Sequence, residues 1–497
     1  MAQSHERPKV DRKARLQIPA QSIAKQDPNV RILNWSEVYL PLNIELAKIE
    51  AERCIQCPAA PCQVACPVGN DIPGALWKLE HDDPGGAAEL FHETSNMPEM
   101  CGRLCPQERL CEGHCVVGRN AKPVRIGRLE AFVVDWQREH APRHPVPAAA
   151  TGRRVAVIGA GPAGLTVAEE LGKLGHAITV FDAWPEAGGV LRYGIPDFKL
   201  EKLVLDEWLE HLDGLPIEFV QNTYVGKGHA KTVDSLLAEG YDAVFLGQGA
   251  SEGNVLEVEG TDLNGVHQAT EFLSRGNLRA DELPEAMREP LRAGRRVVVI
   301  GGGDTSMDCS RTAIRLGAKE VTLVYRRTEK EMVGREEERQ HAREEGVRFE
   351  FLCAPVRLLG TPTGRVRAVQ LERMELGPPD ESGRRRPQPV AGSEFTLEAD
   401  TVVLAIGYGT DVDVPASGTG VTYDKWGVVT IDRATGRTDR PGVFAGGDSV
   451  NGADLVVTAI RDARIAARTM GDYLARIREA TPVPEPAAPA TAAAAGA

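Results

Sequence analysis

The sequence lacks any long apolar run, and nothing in its 497 residues approaches the roughly 20 consecutive apolar residues that a membrane-spanning helix needs. Its first residues also lack the apolar segment of about 7 to 15 residues found in secretory signals, so we expect a cytoplasmic protein. Basic residues are outnumbered, with 58 Lys and Arg against 71 Asp and Glu, and the net charge of −13 argues against a surface built for nucleic acid. We therefore expect neither a membrane nor a nucleic acid as partner.

Cysteine is scarce outside one short segment. Eight of the ten cysteines fall between positions 54 and 115, and only Cys309 and Cys353 lie elsewhere. In a reducing compartment such crowding indicates metal ligation rather than disulfides. Neither outlying cysteine has a second cysteine nearby, so the chain lacks the flavin-adjacent dithiol of a disulfide reductase. We expect both to be core residues.

The clustered cysteines form two groups with different spacings. The first group reads C-x2-C-x4-C-x3-C and the second C-x3-C-x5-C-x3-C. Thiolates hold iron-sulfur clusters, and in two-cluster proteins the last cysteine of a run often serves the other cluster. Zinc is the alternative, although two simple C-x2-C pairs are absent. The groups, which suffice for two 4Fe-4S clusters, are Cys54, Cys57, Cys62 and Cys66, and Cys101, Cys105, Cys111 and Cys115.

The run VAVIGAGPAGL predicts a strand, a glycine turn and a helix, and the next strand ends at Asp182. In this dinucleotide-binding pattern Gly159 permits the tight turn, Gly161 lets the backbone approach a diphosphate, and Gly164 lets the helix pack on the strand. The diphosphate meets N–H groups at the helix start, and the Asp182 carboxylate can accept from ribose hydroxyls. The residues of this predicted site are Gly159, Gly161, Pro162, Ala163, Gly164, Asp182 and Gly189.

A second copy, VVVIGGGDTSMDC, differs at the end of its following strand, VYRR. Arg326 and Arg327 stand where the first copy has an acid, and arginine there can bind a 2′-phosphate in forked geometry. The alternative is a solvated charge run that also includes Arg335 and neighbouring glutamates. We therefore predict FAD at the first copy and NADPH at the second. The NADPH residues are Gly301, Gly303, Asp304, Thr305, Ser306, Arg326 and Arg327.

The run GVFAGGD, late in the chain, predicts a strand that returns to the first dinucleotide-binding unit. In flavoproteins with two such units the aspartate binds the ribityl and phosphate region of the flavin, which adds Gly447 and Asp448 to the FAD site. Hydride transfer belongs to the cofactors, so no residue need act as nucleophile or general acid.

The fold class predicted is α/β, with two Rossmann-like, glutathione-reductase-like domains preceded by a helical iron-sulfur domain. Helical patterns cover 36–52 and 127–139, and a Pro- and Ala-rich linker covers 140–151. The expected limits are 1–145 for the domain with two 4Fe-4S clusters, 146–253 and 409–478 for the discontinuous FAD domain, and 254–408 for the NADPH domain. Residues 479–497, rich in Ala and Pro, predict a disordered tail.

Together these motifs resemble the small subunit of NADPH-dependent glutamate synthase, in order from about residue 30 to residue 475. They include ERCIQCPAAPCQVACPVGNDIP, CGRLCPQERLCEGHC, GGVLRYGIPDFKL and FAGGD. The NADPH-side region of dihydropyrimidine dehydrogenase and the large subunit of ferredoxin:NADP transhydrogenase share them. Two departures are Met332-Val333, where the family often has Met-Pro, and VFLGQGA, where many members have an Ala-Thr-Gly form.

The resemblance implies an interleaved ligand set. One 4Fe-4S cluster would take Cys54, Cys57, Cys62 and Cys115, and the other Cys66, Cys105, Cys111 and Glu130. Glu130 lies in the motif VRIGRLEAF, and by itself it would be interpreted as a helix-surface glutamate. Cys101 would be spare, with completion of the second cluster by Cys101 as the alternative.

The resemblance also implies a function in electron input. Electrons would pass from NADPH to FAD, to two 4Fe-4S clusters, and on to a large subunit with FMN, a 3Fe-4S cluster and a glutaminase, which makes L-glutamate from L-glutamine and 2-oxoglutarate. Three alternatives stay open. They are the same module serving a pyrimidine reductase or a bifurcating transhydrogenase, a stand-alone NADPH oxidoreductase, and a non-enzymatic interaction protein with zinc sites.

Overall fold

The computed structural model describes residues 7–379 and 385–480. Within these ranges, no helix combines the length and the apolar character that crossing a bilayer requires. The tail predicted at 479–497 lies outside the described residues, apart from positions 479 and 480, which end the last helix.

The N-terminal part, which carries the clustered cysteines, is helical. Asn43, Asp71 and Asp83 cap three of its helices by accepting backbone N–H groups. The helix predicted over 127–139 spans Ile126–His140, whereas the one predicted over 36–52 begins only at Ile44, after its cap. The helices are α1 (Arg12–Arg15), α2 (Pro28–Arg31), α3 (Ile44–Glu52), α4 (Pro61–Ala65), α5 (Ile72–Glu80), α6 (Pro84–His92), α7 (Pro98–Leu104) and α8 (Ile126–His140).

Helices α7 and α8 pack closely against each other. A Cβ atom added at Gly102 of α7 would lie 2.6 Å from the backbone nitrogen of Ala131 on α8, so this approach requires glycine. Helix α8 buries Leu129 and Val133 in the core of the helical domain. This packing places the helix that carries Glu130 directly beside the helix that leads into Cys105.

The rest of the chain alternates strands and helices. The helices are α9 (Pro162–Lys173), α10 (Val190–Tyr193), α11 (Lys202–Glu210), α12 (Val233–Ala238), α13 (Ala269–Asn277), α14 (Asp304–Arg315), α15 (Glu336–Glu344), α16 (Asp448–Asn451) and α17 (Val456–Ala480). The strands are β1 (Arg154–Ile158), β2 (Ala177–Phe181), β3 (Ile217–Val220), β4 (Ala243–Leu246), β5 (Glu252–Gly253), β6 (Val266–Gln268), β7 (Arg296–Ile300), β8 (Glu320–Tyr325), β9 (Arg348–Phe351), β10 (Cys353–Gly360), β11 (Val366–Pro379), β12 (Arg385–Pro389), β13 (Phe395–Glu398), β14 (Thr401–Leu404), β15 (Tyr408–Gly409) and β16 (Val443–Ala445).

The first sheet is parallel and has the order β16-β4-β1-β2-β3. Its strands β1 and β4 are almost wholly apolar and buried, as parallel strands covered on both faces are. Strand β16 comes from the end of the chain and pairs with β4 in the register Val443 to Val244. Helix α17 then packs against α9, so two distant chain segments build this domain.

The second sheet repeats this design in the order β6-β14-β7-β8-β9, and all its pairs are parallel. Strands β10 to β13 form a separate antiparallel sheet beside it. The short pair β5 and β15 lies where the chain leaves the first sheet and where it returns. These two parallel units after a helical domain confirm the predicted fold class.

Candidate cofactor sites

The first glycine loop joins β1 to α9 and is sterically closed to side chains. Gly159 has φ of +95°, and a Cβ atom there would collide with the carbonyl oxygen of Gly247. A Cβ atom at Gly164 would collide with the carbonyl oxygen of Gly159, because helix and strand lie in direct contact. Gly189 faces the loop, since its Cβ atom would lie 2.7 Å from Cα of Gly161. The structure thus brings these predicted residues together.

Asp182 ends β2 beside this loop, but its carboxylate bonds differ from those expected. Its two oxygens accept hydrogen bonds from the backbone nitrogens of Ala160 at 2.6 Å and Trp184 at 2.8 Å. Burial raises the pKa of Asp182, while these two N–H groups oppose that shift. Asp182 therefore holds the glycine loop in place, in addition to the ribose contact that the sequence predicts for it.

Gly447 and Asp448 come to the same place from the end of the chain. Gly447 has φ of +69°, and its Cβ atom would lie 2.9 Å from Cβ of Ala163, the second residue of α9. Pro162 opens that helix. Burial raises the pKa of Asp448 to about 7, with Asp454 and Asp462 adding repulsion. A carboxyl group in this position favours a ligand that hydrogen-bonds with it, because a buried polar group without such a bond costs free energy.

Gln248 is a residue of this site that sequence reasoning missed. Its Cα lies 3.1 Å from the Cβ position of Gly159. Within the described part of the chain, neither its side-chain nitrogen nor its side-chain oxygen has a hydrogen-bond partner, although both atoms are buried. Such orphaned polar atoms fit a site that a polar cofactor completes. The signal in the sequence was the recurrence of Gly-X-Gly after the last inner strand of each unit, as Gly247 to Gly249 and Gly407 to Gly409.

The second glycine loop joins β7 to α14. A Cβ atom at Gly301 would collide with the carbonyl oxygen of Ala405, and Ser306, fully buried, donates to that same oxygen at 3.3 Å. Ser306 therefore fits at the third position of the glycine pattern because its hydroxyl finds an acceptor. Gly303 caps α14, and Asp304 and Thr305 are its first two residues.

Tyr408, which sequence reasoning also missed, lies near this second loop. Burial raises the pKa of Tyr408 to about 12, while the side chains of Thr270 and Thr305 oppose that shift. It follows the same Gly-X-Gly signal as Gln248. Tyr408 thus lies near the start of α14, just after β14 in the chain.

The two arginines after β8 lie in different surroundings. Arg326 is exposed, whereas Arg327 is only 7% exposed and donates through Nε to the carbonyl oxygen of Arg385 at 3.2 Å. Arg327 therefore tethers β12, and Arg326 is the arginine presented to solvent. Of the residues in the alternative charge run, Arg335 and Glu338 are buried, at 4% and 5% exposure, whereas Arg326 and Glu336 are exposed.

The first sulfur site is a small pocket with an apolar wall. Ile72, Leu76, Val124 and Ile126 contribute to that wall. Burial raises the pKa of Cys54 and of Cys62 to about 12, so these thiols form thiolates only when a cation compensates them. The thiols that line the pocket are Cys54, Cys57, Cys62 and Cys115. This donor set fits a 4Fe-4S cluster.

The second sulfur site adds a buried carboxyl group to three thiols. Burial raises the pKa of Cys66 to about 11, and the pKa values of Cys105 and Cys111 are raised well above the ordinary value, with Glu130 among the charges that act on all three. Glu130 is 5% exposed, and burial, together with Cys101, raises its pKa well above the ordinary range. A buried carboxylate needs a cation, which an iron cluster would supply.

Cys101 lies beside this second site and is buried in the apolar core. It is 2% exposed, packs with Met97 and Met100, and its Sγ lies 3.8 Å from Oγ of Ser95. A hydrogen bond with Cys101 is the largest cause that raises the pKa of Cys105. Across residues 7–379 and 385–480, no three His, Cys, Asp or Glu side chains are grouped to hold a single metal ion. A 4Fe-4S cluster differs from one ion because each ligand binds a separate iron.

The two outlying cysteines are core residues, as predicted. Cys309 on α14 and Cys353 at the start of β10 are both 0% exposed. All ten cysteines are free thiols.

Comparisons with known proteins match two segments of the chain to two protein families. Residues 31–142 match the family described as dihydropyrimidine dehydrogenase domain II, 4Fe-4S cluster, and residues 153–463 match the pyridine nucleotide-disulphide oxidoreductase family. The first match favours iron-sulfur clusters over zinc.

Relatives cover nearly the whole chain. The glutamate synthase [NADPH] small chain of Escherichia coli (strain K12) is 42% identical over 456 residues, which are 90% of this chain and 96% of that protein. UacF, an Escherichia coli protein named as an oxidoreductase, is 43% identical over 88% of this chain and 70% of its own length. FprA, an oxidoreductase of Mycobacterium tuberculosis, has a TM-score of 0.55 at 23% identity, covers 66% of this chain and 86% of its own, and shows the fold alone.

The cofactors predicted from the sequence, FAD, NADPH and 4Fe-4S clusters, are thereby confirmed, and the protein is an NADPH-dependent flavin and iron-sulfur oxidoreductase. The chain belongs to the pyridine nucleotide-disulphide oxidoreductase family and, within it, to the family of the small chain of NADPH-dependent glutamate synthase.

Proposed function

We propose that this chain is the electron-input subunit of a glutamate synthase. It takes electrons from NADPH and passes them through FAD and two 4Fe-4S clusters to a large subunit that carries FMN, a 3Fe-4S cluster and a glutaminase. That subunit makes L-glutamate from L-glutamine and 2-oxoglutarate. The proposed location is the cytoplasm, a reducing compartment in which crowded cysteines serve metal ligation rather than disulfides.

One observation carries this proposal: the segment around helix α7, which contains Cys101 and leads into Cys105, contacts both nucleotide-binding units. Trp208 of the FAD unit donates through Nε1 to the carbonyl oxygen of Asn96, just before α7, at 2.9 Å. Arg335 of the NADPH unit donates to the carbonyl oxygen of Arg103, inside α7, at 3.1 Å. The segment that leads into the second sulfur site therefore packs on both units, which supports a short path for electrons between them.

The residue assignments are part of the proposal. Gly159, Gly161, Pro162, Ala163, Gly164, Asp182, Gly189, Gly447 and Asp448 would hold FAD, and Gly301, Gly303, Asp304, Thr305, Ser306, Arg326 and Arg327 would hold NADPH. One cluster would bind to Cys54, Cys57, Cys62 and Cys115, and the other to Cys66, Cys105, Cys111 and Glu130. The domain limits 1–145, 146–253 with 409–478, and 254–408 belong to the same proposal.

When bound, FAD would accept two electrons as a hydride and release them one at a time, as clusters that carry one electron each require. The chain's own residues bind the cofactors and orient them. The loop N–H groups at the starts of α9 and α14 would bind the diphosphates, and Arg326 would attract the 2′-phosphate. The apolar wall around the first sulfur site would shield one side of a bound cluster from water.

The test is to purify the native complex from its source organism by a tag on this chain. We expect a large partner to co-purify, and NADPH-, glutamine- and 2-oxoglutarate-dependent formation of glutamate by the complex. The isolated chain should reduce artificial acceptors with NADPH and form no glutamate. A complex that lacks a glutaminase-containing partner would remove the glutamate synthase assignment while leaving the electron-input chemistry intact.

A second candidate is the same module serving another acceptor. The observation that favours it is the similarity to UacF, whose identity of 43% is close to the 42% of the small chain of glutamate synthase. Mass spectrometry of the co-purified partner separates the two functions, because a pyrimidine reductase or a bifurcating transhydrogenase would bring neither glutaminase nor glutamate formation.

A further inference from the structure

Arg335 joins the NADPH unit to the helical domain through a buried guanidinium group. It caps α15 and is 4% exposed. Its Nη1 donates to the carbonyl oxygen of Arg103 at 3.1 Å, and its Nη2 donates to Oε1 of Gln107 at 3.0 Å. Two acceptors in one planar fork fix the orientation of the group.

The backbone at Arg335 also contacts the second glycine loop. Its amide nitrogen donates to Oδ1 of Asp304, the first residue of α14, at 2.9 Å. The preceding residue, Gly334, donates through its backbone nitrogen to the carbonyl oxygen of Gly302 at 3.2 Å. A Cβ atom at Gly334 would lie 3.1 Å from the carbonyl carbon of Gly303, so this segment lies directly on the loop.

Gln107, the partner of Arg335, lies in the chain between Cys105 and Cys111, two of the thiols of the second sulfur site. Its backbone nitrogen donates to the carbonyl oxygen of Cys105 at 2.9 Å, and its Nε2 donates to that of Gly102 at 3.0 Å. A Cβ atom at Gly127 would collide with its amide group, so Gln107 also packs against the start of α8, which carries Glu130. At 6% exposure this contact is part of a close-packed interior, which transmits a displacement rather than absorbing it.

We propose that Arg335 is a positioning residue that couples the pyridine-nucleotide loop to the second 4Fe-4S site. Occupation of the loop and the oxidation state of that cluster then influence each other. The inference rests on the proposed function, because it requires Cys105 and Cys111 to ligate that cluster. Linkage makes the coupling reciprocal: if NADP+ shifts the potential of the cluster, reduction of the cluster changes the affinity for NADP+ by the matching factor.

The test uses the full chain loaded with FAD and both clusters, under anaerobic conditions. The midpoint potential of each cluster is measured by EPR-monitored titration, without and with saturating NADP+. We expect NADP+ to shift the second cluster by an amount equivalent to about a fivefold change in affinity, or about 40 mV at 59 mV per tenfold. The first cluster, which lacks this contact, should shift less. Equal potentials of the second cluster with and without NADP+ in the unaltered protein would overturn the proposal without any variant.

Two substitutions separate hydrogen-bonded positioning from charge. Arg335→Met should abolish the NADP+-dependent shift, and Arg335→Lys should lose most of it, because an ammonium group keeps the charge but not the fork. A wild-type shift in Arg335→Lys would contradict a positioning role. Arg31→Met is the matched control. Arg31 is 1% exposed and pairs with Glu344 and Glu345 at the C-terminal end of α15, but it contacts neither the glycine loop nor Gln107. It should keep the shift, and an equal loss there would count against Arg335.

A final variant separates this inference from the ligand assignment. Cys111→Ala should lose the EPR signal of the second cluster and keep that of the first. If both signals persist, the ligand assignment fails and the coupling falls with it. If the second signal is lost, the assignment stands, and an absent NADP+ shift in the unaltered protein then overturns the coupling alone.

Discussion

Asn70 and Glu130 meet inside the helical domain, where Nδ2 of Asn70 donates to Oε1 of Glu130 across 3.3 Å. One long hydrogen bond is little compensation for a buried carboxylate, since an unpaired buried charge costs several kcal/mol. The burial of Glu130 is therefore the observation that most favours its role as an oxygen ligand of the second cluster.

Removal of that ligand should cost one cluster. In Glu130→Ala we expect roughly half of the iron and acid-labile sulfide, and loss of one of two EPR signals, because three thiols remain for four irons. Glu99→Gln is the control, since Glu99 is also buried, at 7% exposure, in the neighbouring α7 and belongs to neither ligand set. Full iron content in Glu130→Ala would favour Cys101 as the fourth ligand.

The FAD site can be tested by two glycines with the same backbone conformation. Gly447→Ala should lower FAD affinity by at least about tenfold, because the new methyl group meets Ala163 as well as the strain of φ +69°. Gly452→Ala has φ of +72° and open space around its Cβ position, so it should show only the strain, of order 1 kcal/mol. Fluorescence of released FAD measures the difference, and equal affinities in the two variants would place the flavin elsewhere.

The two arginines after β8 should differ in their effect on nucleotide preference. Arg326→Gln should raise KM for NADPH by about tenfold or more and leave that for NADH nearly unchanged, because a charge-assisted phosphate contact is lost. Arg327→Gln should change the preference less and lower thermal stability instead, since Arg327 holds the carbonyl oxygen of Arg385. The reverse order of effects would assign the phosphate to Arg327. Steady-state kinetics with both nucleotides and a melting curve decide between them.

Asp448 should make the stability of the FAD-free protein depend on pH. Burial raises its pKa to about 7 in the folded state, so between its ordinary pKa of 3.8 and about 7 the folded chain binds more protons than the unfolded chain. The free energy of unfolding should therefore fall as pH rises through this window, by up to a few kcal/mol. Asp448→Asn should flatten this dependence. Melting curves at about pH 5 and pH 8 test it, and parallel losses in both proteins would assign the dependence to another group.

Much of the candidate site could be predicted from the sequence because its motifs are local. The glycine spacing within 159–164 and 301–306 is a property of one turn and one helix start, and the structure places these glycines as the pattern requires. The roles of Asp182 and Arg327 could not be predicted in full. Their partners, the backbone at Ala160 and Arg385, depend on how a loop folds over a strand end.

The sequence by itself determined the kinds of cofactor, the helical domain before two dinucleotide-binding units, and the pool of sulfur ligands, because each follows from residue type and short spacing. Spacing alone left open which ligands share a pocket. The family resemblance implied an interleaved set, and the tertiary structure brings the first set together. Cys115 lies with Cys54 rather than with the cysteines nearest to it in the chain, because helix packing folds the two groups around each other. The contact between Arg335 and Gln107, 228 positions apart, likewise exists only because two domains pack there.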